Sequence, residues 1–247
     1  MTEQEILIKL KDDKHYYGDF GKKFLSNSNI KTLLEKPDTL RDPTEKTVPM
    51  LVGGYFHTCI LEPDKIDTFK IIESSTRNTN KYKEISGGEL VLLQSEVDKT
   101  LVLRDKLMKN DLCRGLIRGE HADSNVEYEI PAIRNFFGNM WKGKADILNH
   151  DEKLIIDLKT TGDMDRFRRS CDTYNYDSQA YVYSQLFGYD FIFIVVCKKT
   201  MRINIYECSD DFLYRGEQKL AKANEIYDRF YKDESFDHEQ WIETLTL

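Results

Sequence analysis

The sequence contains no long apolar run. Across its 247 residues the longest uninterrupted stretch is "FIFIVVC", Phe191 to Cys197, far short of the roughly 20 residues that a bilayer-spanning helix needs. The opening "MTEQEILIKLKDDK" is charged and has no apolar core, so no secretory signal is expected. Cysteine is sparse and unpatterned: five residues (59, 113, 171, 197, 208), an odd count with no CxxC spacing. That argues against a disulfide framework and a cysteine metal cluster, and for a reducing cytoplasm. Only five prolines are present, and no Gly/Ser/Pro linker, internal repeat or low-complexity tract divides the chain. One domain over 1–247 is expected. Helix-turn-helix, zinc-finger and basic-zipper patterns are missing, which disfavours reading of a base sequence. A surplus of positive charge is missing too. The net charge of −7 argues against a chain that merely coats nucleic acid. It weighs less against a metal-dependent enzyme with a local basic groove, because ligating carboxylates add to the acidity.

What is present suffices for a large core, with 40% apolar residues, so no segment need be disordered. The first half, 1–118, reads as mostly helical. Thr2 and Glu5 form a capping-box pattern, "SNSNIKTLLEKP" is a short capped helix stopped by Pro37, and "VPMLVGGYFHTCILEP" is a helix despite Gly53–Gly54. Leu90, Leu93, Val97 and Leu101 recur at helical spacing. After Gly119 the period changes. "NVEYEIPAI", "GNMWKGKADIL" and "KLIIDLKTT" read as strands, with "NHDE" as the turn between the last two. "YDSQAYVYSQLFG" is a helix ending at Gly188, two strands follow ("DFIFIVVCKK" and "MRINIYEC"), and Ser209 caps a long final helix. The expected order over 119–247 is βββαββα, an α/β sheet behind a helical region.

The stretch "WKGKADILNHDEKLIIDLKTTG" places Asp146, Asp157 and Lys159 among strand formers, although Asp and Lys are poor strand residues and costly to bury. Alternation puts Asp157 and Lys159 on one face, and the turn returns the strand bearing Asp146 alongside. Two carboxylates and an ammonium then meet within a few ångströms. Such a trio can hold a hard divalent cation on oxygen ligands and offset charge on a phosphoryl group in transfer. A partly exposed Asp–Lys pair on an edge strand is the competing reading, and spacing alone leaves both open. Basic residues cluster nearby. Arg166, Arg168 and Arg169 in "DRFRRS" are candidate phosphate contacts, with Lys142, Lys144, Lys198 and Lys199 as weaker ones; short basic runs otherwise form solvated faces.

"GKADIL" followed by "LIIDLKTT" resembles motifs II and III of the PD-(D/E)xK nuclease superfamily, with "AD" where "PD" is usual. "GGYFHTCILEPDKIDTF" resembles the G-x-x-x-H-x-x-x-L-E-P-x-x-F segment of RecE-like (exonuclease VIII-like) phage recombination exonucleases. Gln179 and Tyr183 are similar to the Q-x-x-x-Y motif of the wider RecB-like group. The resemblance implies a restriction-endonuclease-like mixed sheet flanked by helices, with a helical N-terminal region. It implies that His57, Asp146 and Asp157 ligate metal together with the Leu158 backbone carbonyl. Lys159 would be the catalytic lysine, with Gln179 and Tyr183 lining the site and touching the DNA end. Glu129 matches an upstream glutamate of the family, with Glu127 as a rival. Without that context His57, the Gln179–Tyr183 pair and Glu129 would be packing or surface residues, and Tyr176 and Tyr181 would be equally eligible. The implied activity is Mg²⁺- or Mn²⁺-dependent 5′→3′ exonuclease digestion of linear duplex DNA, leaving 3′ overhangs for recombination by single-strand annealing. The implied setting is a bacteriophage protein in the host cytoplasm, with no membrane and no iron–sulfur cluster. Duplex DNA ends, a single-strand annealing protein and a homo-oligomeric ring are the implied partners. A structure-specific endonuclease of the same superfamily, or a non-catalytic DNA-end-binding module, are the alternatives.

Overall fold

Capping chemistry sets the first helices. In the computed structural model, which describes residues 1–237 and Ile242, the Thr2 hydroxyl accepts the Glu5 N–H and the Glu5 carboxylate accepts the Thr2 N–H, opening α1 (Glu3–Leu10). α2 (Asp13–Tyr17) follows at once behind an Asp12 cap. α3 (Asn27–Glu35) starts at Ser26 and stops before Pro37. α4 (Val48–Leu61) begins at a Thr47 cap with proline in its first turn, where a missing N–H costs nothing. Its Gly53–Gly54 pair meets open space. The helix persists because Tyr55, Phe56, Cys59, Ile60 and Leu61 are buried on its inner side, outweighing about 1 kcal/mol of lost propensity per glycine.

Leu90 and Leu93, read above as part of a helix, lie outside one. β1 (Ile71–Ile72) pairs in parallel with β2 (Leu92–Leu93), flanking α5 (Asn80–Ser86). α6 (Gln94–Met108) starts only after them, with the Glu96 carboxylate accepting the Leu93 N–H at 3.0 Å. Pairing of Leu92 and Leu93 with the Ile71–Ile72 backbone overrides the helical spacing. α7 (Asp111–Arg118) completes the helical part.

β3 (Val126–Phe136), β4 (Asn139–Asn149) and β5 (Leu154–Thr161) form an antiparallel meander. Phe137 and Gly138, both at positive φ (52° and 83°), make the tight turn between the first two. Between the last two, the Asn149 side chain accepts the Glu152 N–H at 3.0 Å within "NHDE". Two helices follow, α8 (Phe167–Thr173) and α9 (Tyr176–Phe187), the second ending at left-handed Gly188. The short α8 went unread because "DRFRRS" looks like a charge cluster. β6 (Asp190–Cys197) then runs parallel to β5, and β7 (Ile203–Glu207) returns antiparallel to β6. α10 (Asp210–Tyr231) starts from Ser209, whose hydroxyl accepts the Phe212 N–H.

The result is a mixed five-stranded sheet in the order β3-β4-β5-β6-β7 with helices on both faces. Ile147, Ile156, Leu158, Ile192, Ile194 and Val196 pack against Phe56 and Ile60 of α4 and against Leu103, Leu107 and Ile117. The other face sets Ala145, Ile155, Phe191, Phe193 and Val195 against Phe167, Cys171 and Ala180 of α8 and α9. α10 crosses α9 closely: a Cβ at Gly216 would lie 2.2 Å from the Asp177 carbonyl oxygen, so only glycine fits there. Asn224 of α10 accepts the Trp141 indole N–H at 3.1 Å, tying this layer to β4. All five cysteines are free thiols. Among the described residues no helix is long and apolar enough to cross a membrane.

Candidate active site

Three carboxylates stand in one row across the sheet, and the backbone opens to admit them. β3 and β4 pair at Tyr128–Ile147 and Ile130–Ala145, skipping the intervening Glu129–Asp146 position. Glu129 there has φ 52°, a left-handed conformation unusual for a residue with a side chain. β4 and β5 pair from Asn149–Leu154 to Ile147–Ile156 and separate just where Asp146 would face Asp157. In the opening, the Leu158 N–H donates to Asp146 Oδ2 at 3.1 Å instead of continuing the ladder. The N–H and C=O of one strand residue point towards the same neighbouring strand, so the Leu158 carbonyl is also directed to the β4 side.

α4 supplies the fourth group. His57 Nδ1 lies 3.1 Å from Asp146 Oδ2, and one ligand atom each from His57, Glu129 and Asp146 all fall within 4.8 Å of one another. Burial opposes the charge on His57, but Asp146 and then Asp157 outweigh it and lift its pKa to about 9. Burial likewise opposes ionisation of Asp146; His57, Lys159 and the Leu158 N–H prevail and hold it below the usual range. Glu129 has no equal compensation. Burial and the adjacent Asp146 charge push it up to about 8, against the pull of Lys144, 3.8 Å away.

Asp157 lies outside that trio and is engaged differently. Its Oδ1 accepts from the Gln179 amide. The Lys159 ammonium sits 2.6 Å from Oδ2, a short charge-assisted contact. Burial raises the Asp157 carboxyl, which Lys159 partly reverses while Asp146 adds to the rise. Lys159 stays charged above its ordinary range despite its burial, because Asp157 and Asp146 face it, and its Nζ lies 4.8 Å from the Tyr176 ring centre.

The donor set suits a divalent cation such as Mg²⁺ or Mn²⁺: carboxylate oxygens and one imidazole on half-buried walls, with excess negative charge shown by the raised Glu129. Of the two glutamates on β3, Glu129 enters the row, whereas Glu127 pairs with His150 at 2.9 Å. Tyr183 shares the face of Gln179 but turns its hydroxyl to the Lys144 N–H at 3.3 Å. Arg166, Arg168 and Arg169 are exposed on or next to α8, with Arg166 3.5 Å from Asp163. Lys142 and Lys144, weighed above as phosphate contacts, are buried instead. Both stack on Tyr16, at 4.0 and 4.6 Å, and hold α2 through the Tyr16 carbonyl and Asp13. Sequence reasoning missed Tyr17. It is exposed at the end of α2, with its ring 5.6 Å from the Lys144 ammonium; the Tyr16–Tyr17 pair was its sequence signal.

Comparison with known proteins adds the following. Residues 21–239 match the model of a family described as a PDDEXK-like domain of unknown function (DUF3799). A crystal structure of a protein from Eubacterium rectale, named only as a candidate exonuclease, covers 96% of this chain and 95% of its own, with TM-score 0.61 and 16% identity. That likeness shows a shared fold. A phage-related exonuclease from Haemophilus somnus 129PT covers 86% of this chain and 96% of its own, with 17% identity and TM-score 0.39, too low to argue from. No curated protein matches the chain.

Proposed function

Since the chain belongs to the PDDEXK-like domain family, we propose that it is a divalent-metal-dependent deoxyribonuclease of the RecE-like kind, degrading linear duplex DNA from its ends. The observation that carries this reading is the opened row of Glu129, Asp146 and Asp157, with His57 on one side and Lys159 on the other. A structural ion pair does not require two ladders to part around it. The name carried by the Eubacterium rectale neighbour points the same way.

His57, Asp146 and Glu129 would hold the cation, with Asp157 and the Leu158 carbonyl at its edge. When bound, it supplies polarisation of a phosphoryl oxygen and acidification of a water. The chain's own groups do the rest. Gln179 fixes the rotamer of Asp157, so that its second oxygen faces the site. Lys159, kept protonated by two carboxylates, offsets charge that develops on the scissile phosphate and orients the attacking water. Tyr183, buried against Gly143, fixes the approach of α9 to β4 and so the height of Gln179. Digestion in the 5′→3′ direction, 3′ overhangs, supply of those overhangs to a single-strand annealing protein, and a ring of subunits around DNA complete the proposal.

Linear duplex labelled at the 5′ or the 3′ end, with a closed circle alongside, tests it in Mg²⁺, in Mn²⁺ and in EDTA. Metal-dependent release of the 5′ label with the circle intact is expected. A nicked circle would make the protein an endonuclease. No cleavage in either metal would leave a DNA-end-binding module.

A further inference from the structure

On the sheet face that carries Asp157 lies a cavity of about 460 Å³, bounded by α8, β6, β7 and the first turns of α10. Its size falls in the range of small-ligand sites, and four of its eleven lining residues are aromatic. Phe167 and Phe193, both fully buried, form its floor, with the Tyr206 ring stacked on Phe167 at 4.9 Å and 28°. The accessible rings are the half-buried Tyr206 and Phe212, with the Arg215 guanidinium 5.5 Å over Phe212. Two exposed guanidiniums, Arg168 and Arg215, also line it. Neither has an ion pair among the described residues, although the chain carries 43 acidic residues against 36 basic ones. Asp172 and Glu207 also line it and offer carboxylate acceptors for N–H groups. Flat π faces, cations for phosphate and acceptors for ring and amino N–H groups are what a nucleotide demands of its surroundings.

Position supplies the second argument. Phe193 pairs with Asp157 in the parallel β5–β6 ladder, one strand spacing (about 4.8 Å) away. Tyr176 bridges the two sites, its ring 5.5 Å from Phe193 and 4.8 Å from the Lys159 ammonium. A DNA strand with a phosphate at Lys159 would bring a neighbouring base to the cavity by passing over the half-buried Tyr176.

We propose that this cavity takes one unpaired nucleobase of the bound DNA, seated against Tyr206 and Phe212 and anchored by Arg168 and Arg215 through its flanking phosphate. The inference rests on the nuclease reading above and extends it: the enzyme would hold its substrate frayed at the end. Base–aromatic stacking tolerates every base, as digestion without a sequence requirement needs, and an unpaired end would be preferred to a blunt one.

The test uses the whole chain and short linear duplexes carrying the fluorescent base 2-aminopurine at one of the terminal positions of either strand. Binding is read in EDTA and in calcium, and cleavage in magnesium and manganese. Stacking is expected to quench the fluorescence on binding. Arg168→Glu with Arg215→Glu, both on exposed residues, should remove the quench and raise KM about 10-fold with kcat within about twofold. Cys208→Phe, which fills the cavity from its lining, should do the same without a charge change. Thermal melting confirms that the variants fold. Cleavage with no quench, or variants that quench and cleave as the wild type does, would overturn the cavity and leave the nuclease. A quench lost in the variants, with no cleavage by the wild type, would keep the cavity and overturn the nuclease. Absence of both would overturn the two together.

Discussion

Lys159 and Asp157 depend on each other. The ammonium is buried 2.6 Å from one carboxylate oxygen, and each raises the fraction of the other that is charged. Lys159→Ala should lower kcat about 100-fold or more, by analogy with the loss of one preorganised electrostatic group. It should leave the magnesium concentration for half-maximal activity within about twofold, because Lys159 is no ligand. It should also lower stability by about 3 kcal/mol, since Asp157 is left buried without its counter-charge. Kinetics against metal concentration together with a denaturant melt check both halves; a large shift in metal requirement would sink the assigned role. Asp146, Asp157 and Lys159 were legible because a strand alternates its faces and charged residues stand out against "LII". Glu129 was legible only as one of two. The choice over Glu127 depends on a local left-handed turn of the backbone, which carries no residue signature such as glycine. His57 was legible by resemblance alone, since nothing in helix periodicity sets it over a β4 carboxylate.

Elements were legible where their ends carry chemistry. Thr2, Ser26 and Ser209 announced three helices, and Gly188 closed a fourth. The failure at α6 is instructive, because the leucine spacing ran on into β2. The residue that starts the helix is Glu96, which accepts the Leu93 N–H and binds Arg77 through both oxygens at 2.8 and 2.6 Å. That partner lies 19 positions away, so no local window contains it. Burial opposes the Glu96 charge, but Arg77 and the Leu93 N–H hold its carboxyl below the ordinary 4.5. A carboxyl depressed by folding contributes stability above its unfolded pKa and loses it as pH falls through the folded value. Glu96→Gln should therefore cost roughly 1–2 kcal/mol at pH 7 and progressively less below about pH 4. Urea melts of both proteins from pH 7 down to pH 3 test this, and a pH-independent difference would reduce the pair to packing.

For the whole molecule, acidity and metal are linked. Three carboxylates, one buried and two half-buried, face one opening, and burial with the adjacent Asp146 charge pushes the Glu129 pKa up to about 8. A cation that binds the folded chain alone adds RT ln(1 + [L]/Kd), about 2.7 kcal/mol at a hundredfold excess over Kd, or a rise of about 5–10 °C in melting temperature for a chain of this size. Mg²⁺ or Mn²⁺ should produce that rise, EDTA should reverse it, and Asp146→Ala should abolish it. The same acidity constrains DNA binding. With a net charge of −7 the long-range field repels the phosphate backbone, so attraction must come from cations not already neutralised at short range. Lys142 and Lys144 are spent on Tyr16 and Asp13, so the local sources are exposed cations such as Arg168 and Arg169 of the α8 segment, Arg215, Lys198 and Lys199. Affinity should fall steeply with salt, and each phosphate contact removed should flatten the log–log slope by about 0.9. Arg169→Ala should flatten it by that amount for every DNA sequence, whereas Lys222→Ala should not, because Lys222 is paired with Glu225 at 3.0 Å. Titration of a fluorescent duplex over a range of salt concentrations measures both slopes. If Arg169→Ala keeps the wild-type slope, the phosphates do not run across α8, and the DNA enters the carboxylate row from the α2 side, past Tyr17.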